Sequence, residues 1–483
     1  MAKEFIVAIE LGSSKVTGIA GKKNLDGSIS VLAVVQENSS SYIRRGVVYN
    51  IDKTMLALIN IKKRLETLLR SKIKQVYVGV GGQSIIGVKN VIKKDLPPET
   101  IVTQEMVNEL MDTNRNMEYP DKEILDAITL EYKVDSQLQV DPVGIQCSRL
   151  EGNFLNILWR KAFYRSLNKC FEEANIAIAE MYLAPLALAD SILAEAERRS
   201  GCVLVDLGAD TTTVSVYYKN VLRHLAVIPL GGANITRDIA TLQMEEQDAE
   251  RMKLKYGSAY TDYSDIDGTE ELPIDSERTV ERRKFVDIVE SRLEEIVENV
   301  WFQVPSEYYG RLLGGIVLTG GGANMPEIET AFRNHTRVEK IRVAKVVAQT
   351  IDATQPEVTA HDGRLNTVIG LLAKGDMNCA GDDIRTDLFN AGDDDSTAEN
   401  SETARQGRSQ NDLQGKGIVQ TEAEKLRLEA EERRKREEEE AKRLEEERKA
   451  AEEERRLKKE NSFLHKTLKM FKKFANDAIS DEE

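Results

Sequence analysis

Residues 202–218 read CVLVDLGADTTTVSVYY, a short apolar strand, a tight turn and a second strand. Val203, Leu204 and Val205 lead into Asp206, and Gly208 permits a turn that a Cβ would hinder. Thr211, Thr212 and Thr213 gather hydroxyls and backbone N–H groups at the tip, where an anion such as phosphate can rest. Taken alone, such a stretch is also simply a hairpin. Residues 5–20, FIVAIELGSSKVTGIA, repeat the pattern with Glu10, Gly12, Ser13, Ser14 and Lys15. Glu10 precedes Asp206, and Gly12 precedes Gly208, by the same 196 residues, which suggests two related halves facing each other across a cleft. A third stretch, IVLTGGGANM at 316–325, is an apolar strand running into Gly320, Gly321 and Gly322, with Asn324 beyond. Backbone there can approach a ligand closely. Three such loops suggest one nucleotide held between two lobes.

A chain of 483 residues with 41% hydrophobic content can bury a sizeable core, while its 31% charge collects at one end, so a globular head and a polar tail are expected. A net charge of −15 argues against a general nucleic-acid binder, although a global sum can hide a local basic segment. Cys147, Cys170, Cys202 and Cys379 show no CxxC spacing, so neither a disulfide framework nor a zinc site is expected. The sequence opens on a strand without an apolar leader, and no apolar run approaches the ~20 residues that span a bilayer, so a cytoplasmic chain is expected.

Strand-then-helix patterning organises the first part, with strands at 31–35 and 76–80 and a helix at 52–69. From about Gln83 to Phe163 the pattern changes to one helix (103–114) among strands at 127–139 and 154–159, which reads as an insertion. An ordinary extension of the sheet is the alternative. Helices are predicted at 164–175, 178–196, 245–256, 278–300, 326–334 and 365–373, and a strand at 340–344. Asn234 and Thr236 are candidate helix caps, and 260–274 reads as an acidic loop.

The two hairpins and the Gly-loop resemble the actin-like ATPase superfamily, in which such elements close on Mg-ATP. Within it the chain is similar to FtsA, a family of bacterial cell-division proteins, over residues 1 to about 375 and at the extreme C-terminus. RRGVVYNID near residue 46, QVYVGVGGQSI at 75–85, DPVGIQCSRLEG at 141–152 and AERMKLKYG at 249–257 support the likeness. The resemblance implies an α/β, two-lobed actin-like fold with an inserted α+β subdomain. It implies ATP and Mg2+ as cofactors, with Gly12, Ser13, Ser14, Lys15, Gly208, Asp210, Thr211, Thr212 and Gly232 on the phosphate side. Glu250 and Lys253, three apart on one helix face, would lie by ribose and adenine, and Gly320, Gly321, Gly322 and Asn324 by adenosine. A surface ion pair is the bland reading of Glu250 and Lys253. Asp206 is the metal-shell candidate, acting through water, with Glu10 opposite it.

Three departures from the family pattern bear on turnover. The second hairpin has Ala209 and Asp210 where glycines are usual, which sets a carboxylate beside the expected phosphates and would repel them unless a cation lies between. Glu10 stands where Asp is usual. Ala184 occupies the place of a residue that orients the attacking water in several relatives, so hydrolysis is expected to be slow at most or dependent on assembly.

The tail is read from its composition. Residues 376–420 are polar and poor in apolar side chains, hence expected to be disordered. From Glu422 to Glu460, 30 of 39 residues are charged and eight Glu-to-Lys/Arg pairs stand four apart, such as Glu429–Arg433 and Glu438–Lys442. At roughly 0.2–0.5 kcal/mol each, these pairs can support a lone helix of ~60 Å, while the apolar positions are too few for a coiled coil. Residues 461–479 then place Phe463, Leu464, Leu468, Phe471 and Phe474 on one face and Lys466, Lys469, Lys472 and Lys473 on the other. This is a basic amphipathic helix suited to an anionic membrane surface.

The expected organisation is a first lobe from 1–83 and 164–205, the insertion at 84–163, a second lobe from 206–238 and 306–375, and a small subdomain at 239–305. A linker at 376–420, a charged spacer at 421–460 and a membrane-targeting helix at 461–483 follow. By resemblance, the partners are the C-terminal peptide of tubulin-like FtsZ, with Arg292 as a contact, other copies of the chain in filaments, and division proteins at the insertion. Two readings compete with a membrane scaffold. One is a sugar or small-acid kinase, for which no catalytic Asp is evident. The other is a pilus-assembly relative, which would not need the terminal helix.

Overall fold

The computed structural model describes residues 4–380 apart from 263, 265 and 268. The expected spacer, the membrane-targeting helix with Phe463 to Phe474, and nearly all of the linker lie outside the described residues.

The near-repeat in sequence becomes a repeat of topology. One sheet runs in the order Ala177–Leu183, Gln75–Val80, Ile6–Leu11, Lys15–Lys23, Ile29–Asn38, with Ile351–Asp352 at its edge. The other begins Ile341–Val343, Gly315–Thr319, Cys202–Leu207, Thr212–Tyr218, Val221–Ile228. In each, two parallel neighbours flank the hairpin's first strand on one side and two antiparallel strands follow on the other. Helices cover both faces, which explains why the hairpins' first strands are apolar runs rather than alternations. In Cys202–Leu207, Cys202 and Leu204 enter one core while Val203, Val205 and Leu207 enter the other.

Helix Ile51–Leu69 buries Ala57, Leu58, Ile61, Leu65 and Leu69, about one per turn, against the first sheet. Asn50 caps it by accepting the Lys53 N–H, and Arg70 ends it in the left-handed region. Helix Arg282–Gln303 does the same for the second lobe through Phe285, Val289, Leu293, Ile296, Val297 and Val300.

The insertion is an antiparallel sheet of Ile86–Ile101, Gln146–Arg160, Lys122–Val134 and Gln137–Gln139 with one helix, Gln104–Arg115, capped by Thr103. Its connections come from the first lobe, yet its sheet continues that of the second: Ile86 pairs with Ala226, Arg223 with Glu131 at 3.4 Å, and Lys89 with Glu307 at 2.6 Å.

Several expectations are corrected. Residues 178–196 are not one helix. Ala177–Leu183 is a strand parallel to Gln75–Val80, and the helix is Ala184–Ile192, opening with Pro185 in its first turn. A short apolar run fits either state, and proline, which cannot sit inside a helix, marks the start. The expected helix 278–300 begins at Arg282, because Thr279–Glu281 forms a small hairpin with Glu271–Pro273. The stretch 127–139 is two strands turning at Asp135. The cap of helix Gly232–Ala240 is Gly231, whose N–H donates to Asn234 Oδ1 at 3.0 Å, while Thr236 lies inside the helix. The head also runs past 375. Tyr77 donates to Asp376 Oδ1 at 2.6 Å and accepts from the Asp376 and Met377 N–H groups, and Cys379 is buried with its N–H on the Phe5 carbonyl.

Candidate functional site

The two hairpin tips are the same turn built twice. The Gly12 N–H donates to the Lys15 carbonyl at 3.0 Å, and the Gly208 N–H to that of Thr211 at 2.9 Å. A Cβ would meet that carbonyl oxygen at 2.8 Å on Gly12 and 2.7 Å on Gly208, so both glycines are required by close approach. Glu10 pairs with Thr17 just as Asp206 pairs with Thr213. Both residues are half-buried, and the carboxylates are near enough that the charge of Asp206 acts on Glu10. Burial, with the Asp206 charge second, pushes Glu10 up to about 8, and burial pushes Asp206 up to about 6. Among the described residues neither has a basic partner.

The Gly-loop crosses over the second hairpin. Gly320 has φ 84°, and a side chain there would meet Asp206 Oδ1 at 2.4 Å and the Leu207 carbonyl at 2.7 Å. A Cβ on Gly322 would meet the Leu207 side chain at 2.9 Å. Asn324 does not face the cleft with its amide, which donates to the Asp362 carbonyl at 2.7 Å. Helix Gly232–Ala240 is fastened to the same hairpin, since the Gly232 and Ala233 N–H groups donate to the Gly208 and Ala209 carbonyls at 3.0 and 2.8 Å. Lys253, largely buried, donates to the Gly232 carbonyl at 3.0 Å and to Thr236 Oγ1 at 2.8 Å, and pairs with Glu250 at 2.6 Å. Glu250 also takes a hydrogen bond from Thr236. The pair of Glu250 and Lys253 is therefore built into the wall beside the second hairpin.

Asp206, Gly208, Gly232, Glu250, Lys253, Gly320 and Gly322 are thus linked through consecutive contacts, the Asp206 charge reaches Glu10, Gly12 holds the matching tip, and Gly321 lies against Arg364. Ser13 belongs with them, its hydroxyl accepting the Gly46 N–H at 2.8 Å. Besides Asn324, two candidates turn away. Lys15 donates to Gln36 at 3.3 Å along the sheet, and the buried Thr212 hydroxyl donates to the Leu230 carbonyl at 2.9 Å. No contact of Ser14 or Thr211 side chains points to a ligand. Asp210 has its own counter-charge, Arg237, at 3.2 Å, and accepts the Arg45 N–H at 3.4 Å. The loop at Arg45 and Gly46 and the residue Arg237 were not expected in the site; two adjacent positive φ values, 51° and 71°, mark that loop, but its partners are 33 and 165 residues away.

Arg292 lies outside this cleft, in a shallow groove between helices Gly232–Ala240 and Arg282–Gln303 lined also by Thr241, Lys284, Asp287 and Ile288. It is not free there: its guanidinium pairs with Asp238 and Glu295. None of the helices among the described residues is long and apolar enough to cross a membrane.

Comparison with known proteins places these features in a family. The model of the family "Cell division protein FtsA" matches residues 203–370, and that of the "SHS2 domain inserted in FTSA" matches residues 82–158. The cell division protein FtsA of Porphyromonas gingivalis is 30% identical over 387 residues, covering 79% of this chain and 80% of its own length. Its counterpart from Bacillus subtilis is 30% identical over 346 residues, covering 69% and 78%. Among solved structures, a chain of a PilM–PilN type IV pilus biogenesis complex superimposes with a TM-score of 0.51 at 14% identity, covering 76% of this chain and 97% of that one, a likeness of fold alone.

Proposed function

The chain belongs to the FtsA family of cell-division proteins, and from that premise we propose that it is an ATP-binding, actin-like scaffold that holds FtsZ filaments at the cytoplasmic face of the membrane. The observation that carries the nucleotide part is the pair of twin turns, each with a carboxylate two residues before its glycine, the two carboxylates near enough that the charge of Asp206 acts on Glu10. Backbone N–H groups at the tips, with Ser13 and the Gly-loop, offer neutral donors and close approach for a phosphate chain. Lys253 and Glu250 stand beside Gly232, where a ribose and base would lie.

The donor set fits Mg2+. Two half-buried carboxylates whose proton affinity is raised by burial, and for Glu10 also by the Asp206 charge, are hard oxygen ligands that a hydrated divalent cation would relieve. When bound, Mg-ATP would supply the charge that draws the lobes together. Glu10 and Asp206 would hold its water shell, and Gly320, with no Cβ, would let the backbone close over the site. Ala184 opens its helix at the cleft end of Ala177–Leu183 without a polar side chain, so water is not oriented there and turnover is slow at most. ATP then acts on assembly, by favouring the closed conformer that other copies of the chain recognise.

The groove at Arg292 suits a short peptide of mixed character. Ile288 gives it an apolar floor, Lys284 an exposed cation, and Arg292 a second cation that an acidic group would take over from Asp238. The basic amphipathic segment with Phe463 to Phe474 supplies the membrane contact and the insertion offers a surface for other division proteins. Isothermal titration of Mg-ATP into the full chain and into a Gly320→Asp variant tests the cleft. Binding by the wild type and loss in the variant is expected; equal affinity removes the Gly-loop from the site, and no binding by a folded wild type overturns the nucleotide reading.

A further inference from the structure

Asp210 is the polar group at the hairpin tips whose contacts cross from one lobe to the other. It sits on the second hairpin between Gly208 and Thr211. Its Oδ1 accepts from the Arg237 guanidinium at 3.2 Å, and its Oδ2 from the Arg45 N–H at 3.4 Å. Arg45 belongs to the first lobe, and its neighbour Gly46 donates to Ser13 at the tip of the first hairpin, at 2.8 Å. The loop is braced from behind, the Gln83 N–H donating to the Arg45 carbonyl at 2.8 Å. The Asp210 carboxylate therefore stands between the two tips. It is anionic, partly shielded from water, and takes up a backbone donor and a guanidinium of the kind that terminal phosphoryl oxygens use.

We propose that Asp210 is a specificity-determining residue that makes the cleft favour a nucleoside diphosphate over the triphosphate. The proposal rests on the nucleotide reading above. A diphosphate lying against the two turns leaves the contacts of Asp210 with Arg45 and Arg237 in place. A third phosphoryl group reaching between the tips brings like charge against the carboxylate and competes for both donors, a penalty that is large where water is partly excluded. Arg237 moderates the effect, because its cation offsets part of the Asp210 charge. A purely structural ion pair would leave the ratio of the two affinities alone.

The test compares Kd for Mg-ADP and Mg-ATP in the full-length wild type, Asp210→Asn and Arg237→Ala, with melting curves of the free proteins showing that each is folded. Asn keeps the shape and an acceptor for the Arg45 N–H but removes the charge. The wild type is expected to bind ADP more tightly than ATP. Asp210→Asn is expected to shift the ratio toward ATP by about tenfold, and Arg237→Ala, which leaves the carboxylate uncompensated, to shift it the other way. A ratio equal in all three proteins, or a wild type that favours ATP as much as Asp210→Asn does, overturns the proposal while leaving nucleotide binding intact. Failure of a folded wild type to bind either nucleotide overturns both readings together.

Discussion

Replacing Glu10 with Gln reads out the charge of the cleft directly. Glu10 is carried from 4.5 to about 8 by burial and, second, by Asp206. The folded chain therefore keeps its proton to higher pH than the unfolded chain does. The stability this contributes is complete below about 4.5 and is lost as the pH rises through about 8. A shift of that size corresponds to a ceiling of about 5 kcal/mol, and partial contact with solvent at the cleft, together with sharing of the proton with Asp206, lowers the expected loss to about 2 kcal/mol. Gln, neutral at every pH and nearly the same shape, does not lose it. Asp126, also pushed up by burial, to about 7, titrates in both proteins and cancels in the difference, whereas Asp206 acts on Glu10 and its response is part of the difference. Chemical denaturation at pH 5, 6, 7 and 8 without divalent cations is thus expected to show equal stability at pH 5 and the variant ahead by about 2 kcal/mol at pH 8. Added Mg2+ is expected to restore the wild type more than the variant. Parallel curves for the two proteins from pH 5 to 8 would refute the placement of Glu10 as an uncompensated carboxylate.

The twin turns predict twin costs: Gly12→Ala and Gly208→Ala each push a Cβ onto a backbone carbonyl, and each is expected to lose roughly 1–3 kcal/mol in urea unfolding, whereas one silent variant would break the equivalence. In the groove, Asp238→Ala frees Arg292 from a half-exposed ion pair worth up to about 1 kcal/mol. By fluorescence anisotropy an acidic FtsZ tail peptide should then bind up to about fivefold more tightly, and unchanged or weaker binding would take Arg292 out of the contact.

The site was legible in the sequence where its chemistry is local. An acidic residue, Leu and Gly recur at one interval because two related hairpins need the same turn, and the three glycines after Gly315–Thr319 are adjacent in the chain. The direction of a side chain at a tip is not local. Lys15 and Thr212 stand at the spacing of ligand contacts, but Gln36 and the Leu230 carbonyl, partners from the next strand and a distant loop, take their polar atoms. Arg45 and Arg237 meet Asp210 across 165 and 27 residues, and no pattern within either segment announces the meeting. The strand Ala177–Leu183 read as helix because its few residues satisfy both periodicities, and pairing with Gln75–Val80 decides between them. The insertion was visible as a change of pattern, but its hydrogen bond to the other lobe's sheet at Ala226 was not, since edge pairing depends on how the lobes come together.

The measurement that bears most directly on the scaffold is recruitment of a labelled FtsZ tail peptide to anionic vesicles in a sedimentation assay with Mg-ATP. The full chain and a Phe471→Glu, Phe474→Glu variant are compared. The expected result is peptide in the pellet with the intact chain, and peptide and protein both left in the supernatant with the variant. Peptide that stays in the supernatant while the intact chain pellets, or a variant that carries peptide down as well as the wild type, would contradict a tether built from this head and that tail.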